Sequence, residues 1–173
     1  ISASHNDFLD NGIKIFNEDG EKISRDIEKR IEKHLSKKMT LVETSSIGKA
    51  YRFDESGPRY IEFCKSTVPP EISFSSLRIV LDCANGACYK VSPEVFEELG
   101  AEVISIGAEP DGYNINQDCG STHPEVIKKA VVDHRADFGV SLDGDGDRVI
   151  LVDEKGDILD GDDLLYILAF ANP

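Results

Sequence analysis

Three aspartates alternate with two glycines in the segment SLDGDGDRVILVDE, residues 141–154: Asp143, Asp145 and Asp147. Hard divalent cations prefer oxygen ligands, and Mg²⁺ is commonly held by a few carboxylates together with water or phosphate. The glycines let the backbone fold so that the three carboxylates converge, and a bound cation would offset the repulsion between them. The segment therefore predicts a Mg²⁺ site in which these carboxylates are the ligands.

Two other interpretations compete for this acidic segment. A single Asp-Gly pair is a common turn signal, but three aspartates in register favour a ligand set. An EF-hand calcium loop is suggested by Glu154, the twelfth residue counted from Asp143. It is disfavoured because Arg148 occupies the sixth position, which requires glycine, and because the flanking runs are typical of strands. Arg148 could neutralise the aspartates or donate a bidentate hydrogen bond to a phosphate beside the metal.

A serine and a histidine are adjacent near the start of the chain, in ISASHNDFLDNGIKIF, and a lysine follows ten residues after the serine. Taken alone, Ser4 is best interpreted as a turn or capping residue. A hydrolase dyad of Ser4 and His5 is disfavoured because adjacent side chains of an extended segment point apart. The sequence also contains no G-x-S-x-G nucleophile elbow. If Ser4 carries a phosphoryl group beside the metal, His5 and Lys14 become acid/base or donor groups for phosphoryl transfer.

The apolar patterns along the chain predict an open α/β sheet with helices on its faces. A continuous apolar run at 78–87 is typical of a buried parallel strand. Further strands are predicted at 12–16, 101–106, 138–142, 149–153 and 158–159, and helices at 24–35, 57–65, 92–99, 122–134 and 162–171. Such an alternation is the signature of a sheet with right-handed crossovers. Because these folds bind ligands at the carboxyl ends of their strands, the acidic segment is well placed for a site.

Composition and charge exclude several classes of protein. The 173 residues are 40% hydrophobic and 30% charged, as in an ordinary globular protein. A formal net charge of −14 argues against nucleic acid or an anionic membrane as a partner. The sequence contains neither an apolar run that could cross a bilayer nor a signal-peptide pattern. The four cysteines form no C-x-x-C pair, which favours reduced thiols and a cytoplasmic protein.

The motifs ISASHN, DNGIK and LDGDGDR together resemble those of the bacterial α-D-phosphohexomutases. The resemblance continues through CANGA and NINQDCGSTHPE to LDGDD, and so covers nearly the whole chain. Within that family, NIN followed by CGSTHPE is most similar to the members that act on glucosamine phosphates. Asp7 stands where the family has proline, a departure outside the proposed chemical groups.

The resemblance implies a role for each residue singled out above. Ser4 would be the phosphorylated residue, and its phosphate would complete the Mg²⁺ shell formed by the three aspartates. His5, Lys14 and Arg148 would be acid/base and phosphate-contacting residues. The implied reaction interconverts glucosamine 6-phosphate and glucosamine 1-phosphate, small phosphosugars, through a sugar 1,6-bisphosphate. A mutase of glucose or mannose phosphates, and a non-catalytic Mg²⁺-binding module, are the alternatives.

The resemblance also predicts the domain organisation. Members of the family have four domains around a central cleft, and this chain is expected to be a fragment of such a protein. Residues 1–72 would be the later part of the first domain, with the serine loop, and residues 73–173 the second domain, with the metal loop. The fragment alone is therefore expected not to turn over substrate. Homo-oligomerisation of the full-length protein is left open by the sequence.

Overall fold

The computed structural model describes residues 1–171 and divides into two compact units. The first unit consists of Ile1–Gly12 together with the chain from Glu55 onward, and the second unit is Ile13–Asp54. The predicted domain boundary between residues 72 and 73 falls inside the first unit and stays a prediction. The predicted second domain, 73–173, extends two residues beyond the described part of the chain.

A five-stranded mixed sheet lies in the first unit, with strand order β2-β1-β3-β4-β5. Its strands are β1 (Arg78–Asp82), β2 (Glu102–Ile106), β3 (Phe138–Leu142), β4 (Val149–Asp153) and β5 (Ile158–Leu159). Strand β1 is parallel to both β2 and β3, whereas β4 runs antiparallel to β3 and to β5. The predicted open α/β sheet is confirmed, and the carboxyl ends of β1, β2 and β3 lie at one edge.

Residues 1–171 contain five α-helices, and their positions agree with the predicted helices. They are α1 (Arg25–Leu35), α2 (Ser56–Ser66), α3 (Val91–Glu98), α4 (Pro124–His134) and α5 (Gly161–Ala171). Only α1 belongs to the second unit. Short 3-10 helices are formed by Phe8–Asp10 and Thr44–Ser46. Among residues 1–171, none of the helices combines the length and the apolar character needed to cross a bilayer.

The sheet has an apolar core on each face because successive side chains of a strand point to opposite sides. On one face, Ile79 and Leu81 are fully buried and pack in a cluster with Phe96 of α3. On the other, Val80 packs with Ile127 of α4. Burying each of these side chains contributes about 1.5–3 kcal/mol. The packed strands therefore form a rigid base for the loops at their carboxyl ends.

Two of the predicted strands differ from the observed backbone. The predicted strand at 12–16 is wrong, because only isolated bridges form there, between Ser2 and Gly12 and between Phe16 and Lys22. The predicted strand at 78–87 ends at Asp82 in β1. Burial continues beyond it, but the backbone turns into the left-handed region at 84–85, where φ is 53° and 47°.

Candidate metal centre

The turn after β3 brings the three aspartates together. One carboxylate oxygen from each of Asp143, Asp145 and Asp147 lies within 4.8 Å of the other two. Asp143 is fully buried, Asp145 is half-buried and Asp147 is exposed. Gly146 adopts a φ of +72°, which favours glycine, and its N–H donates to the carbonyl of Asp143 at 3.1 Å. The alternating glycines thus produce the convergence that the sequence predicts.

The two oxygens of Asp143 have different surroundings. Its Oδ1 accepts hydrogen bonds from the backbone N–H groups of Asp147 and Arg148, both at 3.1 Å. Its Oδ2 is buried and has no hydrogen-bond partner within the described residues. A buried carboxylate oxygen without a donor is costly, and a cation would remove that cost. The oxygen-only ligand set and the unpaired Oδ2 therefore fit a hard divalent cation.

The start of the chain lies directly on this acidic turn. Ser2 Oγ donates to Asp145 Oδ2 at 2.5 Å, across 143 positions of sequence, and accepts from the N–H of Ser4 at 3.0 Å. Gly144 packs against the same segment, since a Cβ added there would lie 2.5 Å from the carbonyl oxygen of Ser4. The serine turn, residues 2–6, and the acidic turn, residues 143–147, are therefore in contact.

Ser4 occupies a left-handed turn rather than an extended segment. Its φ is 51°; its N–H donates to Ser2 Oγ at 3.0 Å, and its carbonyl oxygen accepts from Asn116 Nδ2 at 2.8 Å. The expectation that the Ser4 and His5 side chains point apart is wrong, because the turn leaves Ser4 Oγ 3.4 Å from His5 Nδ1. This distance is long for a hydrogen bond. The imidazole of His5 therefore lies beside the Ser4 hydroxyl without a strong hydrogen bond between them.

Two buried polar residues were not predicted from the sequence: Asn116, which contacts the serine turn, and Asp82, which holds the loops beside Asn116. Asn116 donates from Nδ2 to the carbonyl oxygens of Ser4, at 2.8 Å, and Asn6, at 2.7 Å. At the end of β1, Asp82 accepts from the N–H of Ala84 at 3.0 Å and from that of Gly120 at 2.7 Å. Burial raises the pKa of Asp82, although these two hydrogen bonds act in the opposite direction. The NIN motif contains Asn116, so this residue could have been singled out from the sequence. Its hydrogen-bond partners Ser4 and Asn6 could not, because they are distant in sequence.

Backbone strain is concentrated in the loops around this site. Six non-glycine residues of the described chain have positive φ, and five of them lie in the serine turn or in the loops after β1 and β2: Ser4, Ala84, Asn85, Asn116 and Asp118. Such conformations are unfavourable and persist only where the surrounding contacts enforce them. Their clustering here is typical of a functional site.

The remaining predicted site residues are Arg148, His5 and Lys14. Arg148 is exposed directly after the acidic turn and donates its backbone N–H to Asp143. His5 is half-buried beside Ser4. Lys14 belongs to the second unit, and its proposed role stays a prediction.

Comparisons with known proteins agree on one family. Residues 58–156 match the family model described as phosphoglucomutase/phosphomannomutase, alpha/beta/alpha domain II, and residues 1–41 match the model of domain I. The phosphoglucosamine mutases of Methylobacillus flagellatus and Thioalkalivibrio sulfidiphilus are 58% and 56% identical to the chain over 169 and 171 residues. These alignments cover 98% and 99% of this chain but 37% and 38% of those relatives.

A solved structure shares the fold. The crystal structure of a phosphoglucomutase/phosphomannomutase family protein from Burkholderia thailandensis superposes with a TM-score of 0.66 at 25% sequence identity. The match covers 97% of this chain and 36% of that protein. The chain therefore spans well under half the length of the proteins it resembles.

Proposed function

This chain belongs to the phosphoglucomutase/phosphomannomutase family, and from that premise we propose that the full-length protein interconverts glucosamine 6-phosphate and glucosamine 1-phosphate through a phosphorylated Ser4. The contact between the serine turn and the acidic turn carries the proposal. It is made by the 2.5 Å hydrogen bond from Ser2 to Asp145 and by the packing of Gly144 against Ser4. The names of the relatives at 53–58% identity support glucosamine phosphates as the substrate class.

The metal in this proposal is Mg²⁺, held by the carboxylates of Asp143, Asp145 and Asp147 and by the phosphate on Ser4. Bound Mg²⁺ would offset negative charge on the phosphoryl oxygens. The backbone N–H groups that bond Asp143 Oδ1 orient its carboxylate, and the buried, unpaired Oδ2 supports its role as a ligand. Arg148 would contact the phosphoryl oxygens as a rigid bidentate donor.

The reaction would proceed in two phosphoryl transfers. In the first, the bond from phosphorus to Ser4 Oγ breaks, a bond to O1 of glucosamine 6-phosphate forms, and His5 or Lys14 accepts the O1 proton. The same group then gives this proton to Ser4 Oγ. The 1,6-bisphosphate reorients, Ser4 Oγ gives up the proton as its bond to the 6-phosphorus forms, and O6 takes up a proton as the bond from O6 to phosphorus breaks. The serine turn holds the backbone of Ser4 in place for both steps, which is the contribution expected of a protein in phosphoryl transfer.

The substitution Ser4→Ala in the full-length protein tests this proposal. It should abolish turnover and remove the mass of one phosphoryl group from the intact protein. The matched control is Ser66→Ala at the end of α2, where Ser66 Oγ donates to the carbonyl of Phe63 at 2.6 Å. A Ser4→Ala protein that keeps most of its rate would refute the mechanism. A phosphorylated Ser4 would argue against the alternative of a passive metal-binding module.

Sugar specificity is tested separately. Relative kcat/KM values of the full-length protein on glucosamine, glucose and mannose phosphates should favour glucosamine. A preference for glucose or mannose would leave the phosphoserine mechanism intact and change the substrate. We expect the 173-residue chain alone to lack turnover, and the four free cysteines fit a reducing compartment such as the cytoplasm.

A further inference from the structure

We propose that Asn116 is a positioning residue that fixes the serine turn against the acidic turn, and that its carboxamide sets the geometry of phosphoryl transfer. This inference rests on the proposed function, in which Ser4 carries the phosphoryl group. Asn116 is 6% exposed and would touch neither the sugar nor the phosphate. It would act through the backbone of the serine turn.

The carboxamide of Asn116 uses both of its donor hydrogens on this turn. Nδ2 lies 2.8 Å from the carbonyl oxygen of Ser4 and 2.7 Å from that of Asn6. The two carbonyls flank His5, so one side chain restrains the backbone on both sides of the imidazole. The two acceptors also determine the orientation of the amide, because only the NH₂ group can donate to a carbonyl.

Asn116 is itself anchored to the sheet. Its N–H donates to the carbonyl of Ala84 at 2.8 Å, and its φ of 57° is a conformation that asparagine adopts more readily than most residues. The N–H of Ala84 in turn donates to Asp82 at the end of β1. A continuous set of hydrogen bonds therefore connects the rigid strand to the backbone of Ser4.

The same carboxamide also lies against the acidic turn. A Cβ added to Gly144 would stand 2.8 Å from Asn116 Nδ2 and 2.5 Å from the carbonyl oxygen of Ser4. Asn116, Ser4 and Gly144 are thus mutually packed with no room for a methyl group. The position of the amide determines how closely the serine backbone approaches the proposed metal ligands.

The contacts of Asn116 call for an amide at this position. Its Oδ1 is buried and has no hydrogen-bond partner in the part of the chain that the structure describes. An unpaired buried acceptor is unfavourable, and the two hydrogen bonds that Nδ2 donates to the serine turn act against that cost. An amide is required only if the two carbonyls of the serine turn must be held, because aspartate would present oxygens to them and alanine would leave both unpaired.

The experiment compares full-length Asn116→Ala and Asn116→Asp proteins with wild type. Losing the two hydrogen bonds should lower kcat by about tenfold to a hundredfold. The KM should stay within about twofold, because the amide contacts only protein groups. Hydrogen exchange should accelerate at the backbone amides of Asn6 and Gly12, whose N–H groups donate to the carbonyls of Ala3 and Ser2. Asn116→Asp keeps the side-chain volume and removes the same two hydrogen bonds, so it provides the test if the alanine variant unfolds.

Asn114→Ala is the matched control. Asn114 lies two positions away, and its side chain bonds only its own loop, accepting from the N–H of Asp111 at 3.0 Å and donating to the carbonyl of Glu109 at 2.9 Å. This variant should keep kcat and the slow exchange of the serine turn. Equal losses of kcat in both variants would overturn the specific role of Asn116.

Each readout can contradict the proposal. An Asn116→Ala protein with unchanged exchange in residues 2–12 would show that the amide does not hold the turn. Faster exchange with an unchanged kcat would show that the restraint has no part in catalysis. If the Ser4→Ala protein keeps its activity, the proposed function fails instead, and the exchange comparison still decides whether Asn116 restrains the turn.

Discussion

The substitution Asp143→Asn separates the structural role of this residue from its proposed role as a metal ligand. An asparagine Oδ1 can still accept the two N–H groups of Asp147 and Arg148, which lie 3.1 Å from the present oxygen. The second oxygen, now buried and unpaired, becomes an NH₂ group that cannot ligate a cation. We therefore expect the turn to keep its conformation while the site loses its affinity for Mg²⁺.

The magnitude follows from charges and distances. Carboxylate oxygens within 4.8 Å of one another repel by roughly 1 kcal/mol per pair at the dielectric constant of water and a few times more near a protein surface. Removing one charge should therefore not lower stability in the presence of a chelator. The attraction lost between a carboxylate and a dication about 2 Å away is about 4 kcal/mol even at the dielectric constant of water. Because a water ligand can replace part of this attraction, we expect Mg²⁺ to bind at least about 100-fold more weakly to Asp143→Asn than to the wild type.

Calorimetric titration of the full-length protein with Mg²⁺ measures this effect. Asp153→Asn is the matched control, because Asp153 Oδ1 also accepts two backbone N–H groups, from Lys155 at 2.9 Å and Asp157 at 2.8 Å. These bonds lower the pKa of Asp153, chiefly through the N–H of Asp157. The control should bind Mg²⁺ like the wild type. An Asp143→Asn protein whose affinity stays within about threefold would refute the assignment of Asp143 as a ligand.

Three further predictions concern the surroundings of the site. Gly144→Ala should destabilise the protein by about 1–3 kcal/mol and displace the serine turn, because the new methyl group would lie 2.5 Å from the carbonyl of Ser4; thermal unfolding measures this. Burial raises the pKa of Asp82. The stability that this carboxyl group contributes should therefore fall as the pH rises from about 3.9, its pKa in the unfolded chain, through its higher pKa in the folded protein. The fall should be absent in Asp82→Asn, as unfolding curves at several pH values would show. Burial raises the pKa of Cys83 to about 12, so iodoacetamide at pH 8 should modify it only after denaturation, as peptide mass spectrometry would detect.

Each of these predictions has a control or a contradicting result. Gly57→Ala should be harmless, since nothing lies within 4 Å of a Cβ added there. Parallel pH dependence of unfolding in the wild type and in Asp82→Asn would show that burial does not perturb this carboxyl group. Modification of native Cys83 at the rate of the partly exposed Cys64 would contradict the burial of Cys83.

Local patterns were sufficient to predict the fold and the convergence of the three aspartates. The apolar run of β1 and the spacing of Ile27 and Ile31 in α1 depend on periodicity, which is a property of neighbouring residues. The aspartates of the acidic turn likewise converge because of the glycines between them. Their prediction required no knowledge of distant contacts.

The supporting contacts and the serine backbone could not be predicted in the same way. Ser2 reaches Asp145 across 143 positions, and Asn116 reaches Ser4 across 112. These partners become neighbours only when the sheet forms. The left-handed conformation of Ser4 costs free energy in an isolated segment, so local sequence favours an extended chain there. The docked contacts must offset that cost, and they lie outside any local pattern.

In the proposed mechanism, a phosphoryl group on Ser4 and the carboxylates of the acidic turn share one cation. Phosphorus-31 NMR of the phosphorylated full-length protein, titrated with paramagnetic Mn²⁺, tests this directly. Stoichiometric Mn²⁺ should broaden the phosphoserine resonance beyond detection, excess Mg²⁺ should restore it, and Asp143→Asn should prevent the broadening. A resonance that stays sharp while Mn²⁺ is bound to the acidic turn would contradict the shared site.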